Sequence, residues 1–114
     1  MRRDRERLKD FLEAMEKIQR ETRGGRVAFN EDEKTRVWVV HHLEIMGEAA
    51  RALSEDLKAE HPEIPWTMIS GIRNRLAHEY FDVNEDIVWN VVEKEIPKLR
   101  AQIEAIAQML EKNK

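Results

Sequence analysis

Five side chains with reactive or ionic groups lie close together in the sequence: Arg73, Asn74, Arg75, His78 and Tyr80. A histidine titrates near neutral pH and can transfer protons. An arginine is a permanent cation whose planar fork suits a phosphate group. A helix that carries both is therefore able to hold an RNA phosphodiester and to move protons at it.

The spacing of these residues decides which of them share a helical face. Asn74 and His78 are four residues apart and share one, so the amide can orient the imidazole. Arg73 and His78 are five apart, which places them roughly 140° apart around an ideal helix. They converge only if the helix unwinds near His78 or if a second copy supplies the missing group. A plain alternative is that both residues meet the dipole and free carbonyls of a helix C-terminus.

These residues are predicted to lie at the end of a short helix. Pro65 suits the first turn of a helix, where its missing N–H needs no partner. Ile69, Ile72 and Leu76 follow at helical spacing and give the helix one buried face. It is predicted to end between about Ala77 and Phe81.

Two helices are predicted before it. Apolar residues at steps of three and four predict a first helix from about Arg3 to Glu21, and the pair Gly24-Gly25 indicates a turn. Asn30 is predicted as the N-cap of a long second helix that ends near Glu60.

The second helix is predicted to bury two faces. Its main apolar stripe begins at Val37, whereas Trp38, Val39 and Ile45 fall off that stripe. Burial against its own bundle and against a partner chain would explain both sets.

The last helix is predicted to start after the acidic stretch Asp82–Asp86, since carboxylates are favoured at a helix N-terminus. Its apolar pattern runs from Ile87 to Leu110, and Pro97 inside it is predicted to kink or divide the helix. Together the helices predict a single domain over residues 1–114, an all-α four-helix up-and-down bundle.

The composition excludes several classes of protein. The 114 residues carry a formal net charge of −3, so binding of nucleic acid needs a local basic patch. There is no cysteine, which excludes disulfides and thiolate metal sites and fits a reducing compartment. No apolar run follows the charged N-terminus or is long enough to span a bilayer. We therefore expect a cytoplasmic protein that does not bind membranes.

Two further clusters carry less weight. His41, Glu44 and Glu48 share a helical stripe, but the bundle di-metal pattern is Glu-x-x-His, and the reverse order occurs here once. We therefore predict no metal, and a role for Glu48 in holding Arg73 or His78 stays open. The arginines between residues 2 and 7 alternate with Asp4 and Glu6, which favours a solvated helix start over an RNA-binding arm.

The motif Arg73-x4-His78-x-Tyr80, with Pro62–Trp66 before it and Ile87–Trp89 after it, resembles the HepT-like toxins of the HEPN superfamily. The segments Leu43–Ala50 and Glu95–Leu99 also resemble helices of that family. The resemblance extends from about Leu8 to Leu110, and the motif itself shows no departure from the family pattern.

The resemblance implies a homodimeric, metal-independent RNA endonuclease without a cofactor, in which two motifs face one cleft. His78 would act as the general base or acid, and Arg73 would stabilise charge in the transition state. Asn74 and Arg75 would contact RNA. Cleavage would proceed by attack of the 2′-hydroxyl.

The resemblance also implies a type VII toxin–antitoxin system. The partner would be a minimal nucleotidyltransferase of the MntA type, which inhibits the toxin by transferring AMP to Tyr80. Two rival interpretations remain: a non-catalytic HEPN-type module that binds nucleotide or a partner protein, and a helical adaptor whose motif only caps a helix.

Overall fold

The structure, a computed structural model, describes residues 2–72 and 85–112. Across these two ranges the chain forms helices and turns and no strand, which confirms the all-α prediction. The helices are α1 (Arg2–Glu21), α2 (Gly25–Glu31), α3 (Glu33–Ala52), α4 (Glu55–Glu60), α5 (Trp66–Ser70), α6 (Glu85–Asn90) and α7 (Ile96–Lys112), with a π-helical turn over Val91–Glu95. The four-helix up-and-down topology and the homodimer stay predictions.

Helix α1 forms where the apolar spacing predicts it and supplies one wall of the core. Leu8, Phe11, Met15 and Ile18 are completely buried. Their helix packs against both α3 and α7. Burial of each such side chain contributes about 1.5–3 kcal/mol, so this face of α1 is a major source of stability.

Asp32 is the N-cap of helix α3, and the predicted N-cap at Asn30 is wrong. The Asp32 carboxylate accepts hydrogen bonds from the backbone N–H of Lys34 at 3.0 Å and of Thr35 at 3.4 Å. The Thr35 hydroxyl also donates to it at 3.0 Å, and this bond does most to hold the pKa of Asp32 below its usual value. Asn30 belongs instead to α2, a helix that the sequence analysis did not predict.

Helix α2 follows directly from the glycine turn. Gly25 has a φ of 88°, which favours glycine, and its N–H donates to the carbonyl of Thr22 at 3.1 Å. Phe29 is buried and anchors the new helix to the core. The predicted turn is therefore present, but it reverses the chain into a helix rather than into a loop.

Helix α3 ends at Ala52, so the predicted continuation to Glu60 is wrong. Ser54 starts α4 instead, since its hydroxyl accepts from the N–H of Leu57 at 3.2 Å. The carboxylate of Asp4 in turn accepts from the Ser54 N–H at 2.9 Å and from its hydroxyl at 2.7 Å. Asp4 is only 4% exposed, whereas Arg3 and Glu6 are exposed, so the predicted solvated start of α1 has one buried carboxylate.

The faces of α3 also differ from the predicted stripe. Val39, Leu43 and Met46 are buried in the core. Val37, which was expected to open the main stripe, is 62% exposed, and its neighbour Trp38 is 39% exposed. The core-facing stripe therefore passes through Val39, and the apolar pair at 37–38 points away from the core.

The π-helical turn ends at Glu95, two residues before Pro97. Proline has no N–H, and in a regular α-helix its ring clashes with the carbonyl four residues earlier. A widened turn accommodates such a residue within a helical path. Ile96 and Leu99 on either side of Pro97 remain buried, so α7 still packs on the core. A kink angle at Pro97 stays a prediction.

Candidate functional site

The predicted site residues Arg73, Asn74, Arg75, His78 and Tyr80 lie outside the described residues. The structure does describe the two elements that hold the ends of their segment, residues 73–84. Helix α5 leads into this segment and α6 follows it. We call α5, Gly71, Ile72, the start of α6 and Arg36, which holds it, the frame of the candidate site.

Helix α5 is fixed by its own tryptophan and by the core. The indole N–H of Trp66 donates to the carbonyl of His61 at 2.9 Å. Ile69 is buried, and the helix packs against α3. Pro65 is the N-cap of α5, and its carbonyl accepts from the Ile69 N–H at 3.0 Å, so it takes part in the first turn. The entry to the candidate site is thus held by the core at both ends of α5.

Gly71 and Ile72 are the last described residues before Arg73. The Gly71 N–H donates to the carbonyl of Thr67 at 3.0 Å, and a Cβ at Gly71 would lie only 3.1 Å from that oxygen. Ile72 is half-buried and packs against the core, as its position in the predicted stripe requires. The described chain is therefore held by the core up to Ile72.

A cavity of about 320 Å³ lies beside Gly71 and Ile72. Apolar side chains from α3, α5 and α7 contribute much of its lining, and several charged residues also line it. They include Met46, Ile69, Ile72, Ile96, Leu99, Glu63, Glu95 and Lys98.

Arg36 of α3 holds the other end of the segment, where the described chain resumes at α6. Its Nε lies 3.3 Å from the Oε1 of Glu85, the first residue of α6. Its Nη1 donates to the carbonyls of Phe29, at 3.3 Å, and of Asn30. One guanidinium therefore connects α2, α3 and α6.

Two further contacts hold α6 on α2. The rings of Phe29 and Trp89 pack with their centroids 5.3 Å apart. Arg26 forms an ion pair with Asp86. Trp89 also donates from its indole N–H to Glu93 at 2.6 Å, which ties α6 to the π-helical turn.

Sequence reasoning missed Arg36 and α2 as parts of this frame. The partner of Arg36, Glu85, is distant in the sequence, and helical periodicity carries no information about such pairs. The acidic start of α6 was the available signal, but it was assigned to helix capping and to the helix dipole. The prediction of a helix start there is confirmed.

The two adjacent histidines of α3 differ in their exposure to solvent. His42 is 4% exposed, and its Nδ1 lies 2.8 Å from the carbonyl of Trp38. Burial lowers the pKa of His42 and outweighs that hydrogen bond, which raises it. His42 is therefore a neutral core residue near pH 7, whereas His41 lies on the exposed face.

No group of three histidine, aspartate or glutamate side chains is placed to bind a metal ion within residues 2–72 and 85–112. Glu48 is exposed, and its carboxylate lies 3.6 Å from Arg51. A contact of Glu48 with Arg73 or His78 stays a prediction. Among the helices that are described, none has the length and apolarity needed to cross a membrane.

Comparison with known proteins identifies relatives along most of the chain. A protein of Thermococcus cleftensis named "Probable ribonuclease HepT" is 38% identical over 102 residues, which cover 87% of this chain and 91% of that protein. A Methanocaldococcus jannaschii protein named "Putative RNase" is 31% identical over 102 residues, covering 87% of this chain and 92% of its own length. A protein from Caldanaerobacter subterraneus that is also named a putative RNase is 45% identical over 69 residues, which cover 60% of this chain and 62% of that protein.

No solved structure gives a significant match to the chain. The family model described as "Ribonuclease HepT-like" matches residues 11–106, a range that contains the motif and both elements of its frame. This chain belongs to the HepT-like family of the HEPN superfamily.

Proposed function

We propose that this chain, as a single domain over residues 1–114, is a metal-independent RNA endonuclease that acts in the cytoplasm as a homodimer. The observation that carries the proposal is the intact motif Arg73-x4-His78-x-Tyr80 within the family match over residues 11–106. The names of the relatives, which refer to ribonucleases, support the same reaction.

The proposed chemistry needs a proton carrier and a cation. His78 accepts the proton of the ribose 2′-hydroxyl as its oxygen attacks the adjacent phosphorus, or donates a proton to the departing 5′-oxygen. The new O2′–P bond forms and the P–O5′ bond breaks, so the products are a 2′,3′-cyclic phosphate and a 5′-hydroxyl. Arg73 stabilises the negative charge that builds up on the phosphoryl oxygens. DNA lacks the nucleophile and is not cut.

A dimer resolves the geometry of this pair. In one straight helix Arg73 and His78 would diverge by roughly 140°, so each active centre takes groups from two copies related by a two-fold axis. The same arrangement doubles Arg73 and Arg75 in one groove, where Asn74 and Arg75 contact RNA. A local cationic groove of this kind is compatible with the formal net charge of −3.

The described frame supports a precise placement of the motif. Ile72 is held by the core on one side of the segment, and Glu85 is held by Arg36 on the other. Helix α5, which leads to Ile72, packs on α3, and Arg36 belongs to α3. A displacement of about 1 Å in a catalytic group can slow a reaction about a hundredfold. A segment that carries catalytic residues therefore needs fixed ends.

We further propose that the protein is a toxin whose partner is a nucleotidyltransferase of the MntA type. The partner joins the α-phosphorus of ATP to the Tyr80 hydroxyl oxygen, pyrophosphate leaves, and the phenolic proton passes to solvent. A bulky anion then lies at the mouth of a cationic phosphate site and excludes RNA by charge and by volume.

The ribonuclease proposal is tested with a mixed RNA pool and protein whose unmodified Tyr80 is verified by intact mass. We expect cleavage in excess EDTA, loss of cleavage in His78→Ala and Arg73→Ala, and normal cleavage in His61→Ala. His61 is a matched histidine in the loop before α5, where its ring faces Glu63 at 3.4 Å. RNA binding without cleavage by the unmodified wild type would favour a non-catalytic binding module.

A further inference from the structure

The outward face of α3 carries a regular stripe of four residues, of which the first three are exposed and the last, Glu44, is half-buried beside Arg7 and Asp10 of α1. Lys34, Val37, His41 and Glu44 follow at steps of three, four and three residues, which places them on one side of the helix. We name these four residues the α3 seam. Val39, Leu43 and Met46 lie on the opposite side, in the core.

The centre of the α3 seam is apolar. Val37 is 62% exposed, and the adjacent Trp38, which flanks the seam, is 39% exposed although its ring also packs on His42. A shallow depression of about 350 Å³ lies here, lined by Glu33, Lys34, Val37, Trp38 and His41. Adjacent large apolar side chains on an exposed helix face are typical of an interaction surface.

The charges of the α3 seam identify the partner that fits it. Lys34 lies at its N-terminal end and Glu44 at its C-terminal end. The ion pairs described for neighbouring positions use other charges, Arg36 with Glu85 and Arg51 with Glu48. A copy packed in parallel would place like charges together, whereas an antiparallel copy places Lys34 against the partner's Glu44.

The spacing supports the same arrangement. Spacings of three and four residues are the heptad pattern with which helices pack in layers. In an antiparallel pair centred at the level of Val39, Lys34 meets Glu44 and Val37 meets His41, because both pairs are symmetric about that level. The surface is therefore self-complementary, as a two-fold interface requires.

We infer that a second copy of this chain packs on the α3 seam, with the two α3 helices antiparallel about a two-fold axis. This inference rests on the dimer of the proposed function and assigns its surface. Each dimer then contains two Lys34–Glu44 pairs, and between them lie two contacts in which Val37 of one copy faces the partner's His41.

The α3 seam is continuous with the frame of the candidate site. Arg36, which holds Glu85 at 3.3 Å, directly precedes Val37. A two-fold axis perpendicular to both α3 helices keeps the same edge of each helix on the same side of the dimer. The two Arg36–Glu85 junctions, where the chain returns from residues 73–84, therefore lie along one edge of the helix pair. This is the arrangement that lets two motifs share a cleft.

The experiment is sedimentation equilibrium of the full chain without RNA. The variants are Lys34→Glu, Glu44→Lys, the double exchange and Val37→Glu, with Lys94→Glu as a charge control on an exposed residue of the π-helical turn. Circular dichroism verifies that each variant is folded. We expect a wild-type dimer and a Kd at least about tenfold higher for each single charge reversal, since two pairs change from attraction to repulsion.

The double exchange provides the decisive comparison. It should restore the Kd to within about threefold of the wild type, since the pairs re-form with reversed polarity. A dimer whose Kd is unchanged by Val37→Glu and Lys34→Glu would overturn the assigned surface, and so would a monomeric wild type. RNA cleavage measured in parallel separates the two proposals. A dimer that responds as expected but cuts no RNA retains the α3 seam and removes the ribonuclease.

Discussion

Arg36→Ala is the substitution that most directly tests the frame of the candidate site. It removes the ion pair with Glu85 at 3.3 Å and the hydrogen bonds to the carbonyls of Phe29 and Asn30. Helix α6 then depends on the Phe29–Trp89 contact, on the Arg26–Asp86 ion pair and on the packing of its own residues. The end of the segment 73–84 that joins Glu85 loses its fixed position.

The expected loss of stability is moderate. The Arg36 and Glu85 side chains are 27% and 42% exposed, so solvent screening reduces their ion pair to about 0–1 kcal/mol. The two hydrogen bonds to carbonyls add about 0.5 kcal/mol each, because both oxygens can be rehydrated in the variant. We expect the free energy of unfolding to fall by about 1–2 kcal/mol, which lowers Tm by about 4–10 °C.

Thermal unfolding and amide hydrogen exchange measure the two consequences separately. Exchange should increase in α6 while the amides of α1 retain their protection. Arg36→Lys keeps the charge but not the planar fork, so its effect should lie between those of the wild type and Arg36→Ala. Arg51→Ala is the control, since its ion pair with Glu48 is at the surface and spans 3.6 Å.

RNA cleavage by Arg36→Ala should fall by more than its folded fraction explains, because the motif is then held at one end only. The reasoning is refuted if Arg36→Ala and Arg51→Ala have the same Tm and the same exchange in α6. An Arg36→Ala protein with rapid exchange in α6 but unchanged cleavage would show that the frame does not position the motif.

Three further predictions concern the core. Asp4→Ala should lower the free energy of unfolding by about 2–4 kcal/mol in urea, since two donors of Ser54 lose their buried acceptor, whereas exposed Asp10→Ala should change it little. Phe29→Ala should cost about 3–5 kcal/mol in the same assay and speed amide exchange in α6, because it removes the ring that Trp89 packs on. The free energy of unfolding should fall from pH 7.5 to 5.5, because the unfolded chain binds a proton at His42 below about pH 6.5, whereas buried His42 binds it only at lower pH. His42→Gln should flatten this pH dependence.

The parts of the fold that the sequence predicted are those encoded by local periodicity. Helix α1 has a complete stripe of apolar residues and was predicted almost to the residue. The start of the last helix was predicted from its acidic cap. The glycine turn was also predicted, because a positive φ at Gly25 depends on that residue alone.

The errors arose where distant contacts decide the structure. Apolar spacing continues through Leu53 and Leu57, so it cannot show that α3 ends at Ala52. That end is set by Ser54 and by Asp4, which lie in different helices. Helix α2 has seven residues, too few for a periodic signal, and it is held by Phe29 and Arg36. Val37 was wrongly predicted to face the core, because apolar spacing does not show which face of α3 packs on α1 and α5.

The candidate site was inferred from residue types, spacing and family resemblance. These sources identify the motif but not the contacts that hold it. The motif and the family were identified from the sequence. Arg36 as a positioning residue, the buried state of His42 and the α3 seam required three-dimensional contacts. In the proposed dimer, Arg73 and His78 converge through a second copy, for which the sequence of one chain offers only the pattern of its charges.

The ends of cleaved RNA give the most direct test of the proposed chemistry. The unmodified protein is incubated with an RNA in excess EDTA, and the termini of the products are identified by mass. Attack by the 2′-hydroxyl through His78 and Arg73 predicts 2′,3′-cyclic phosphate and 5′-hydroxyl ends. Products with 3′-hydroxyl and 5′-phosphate ends, or cleavage that requires an added divalent ion, would contradict it.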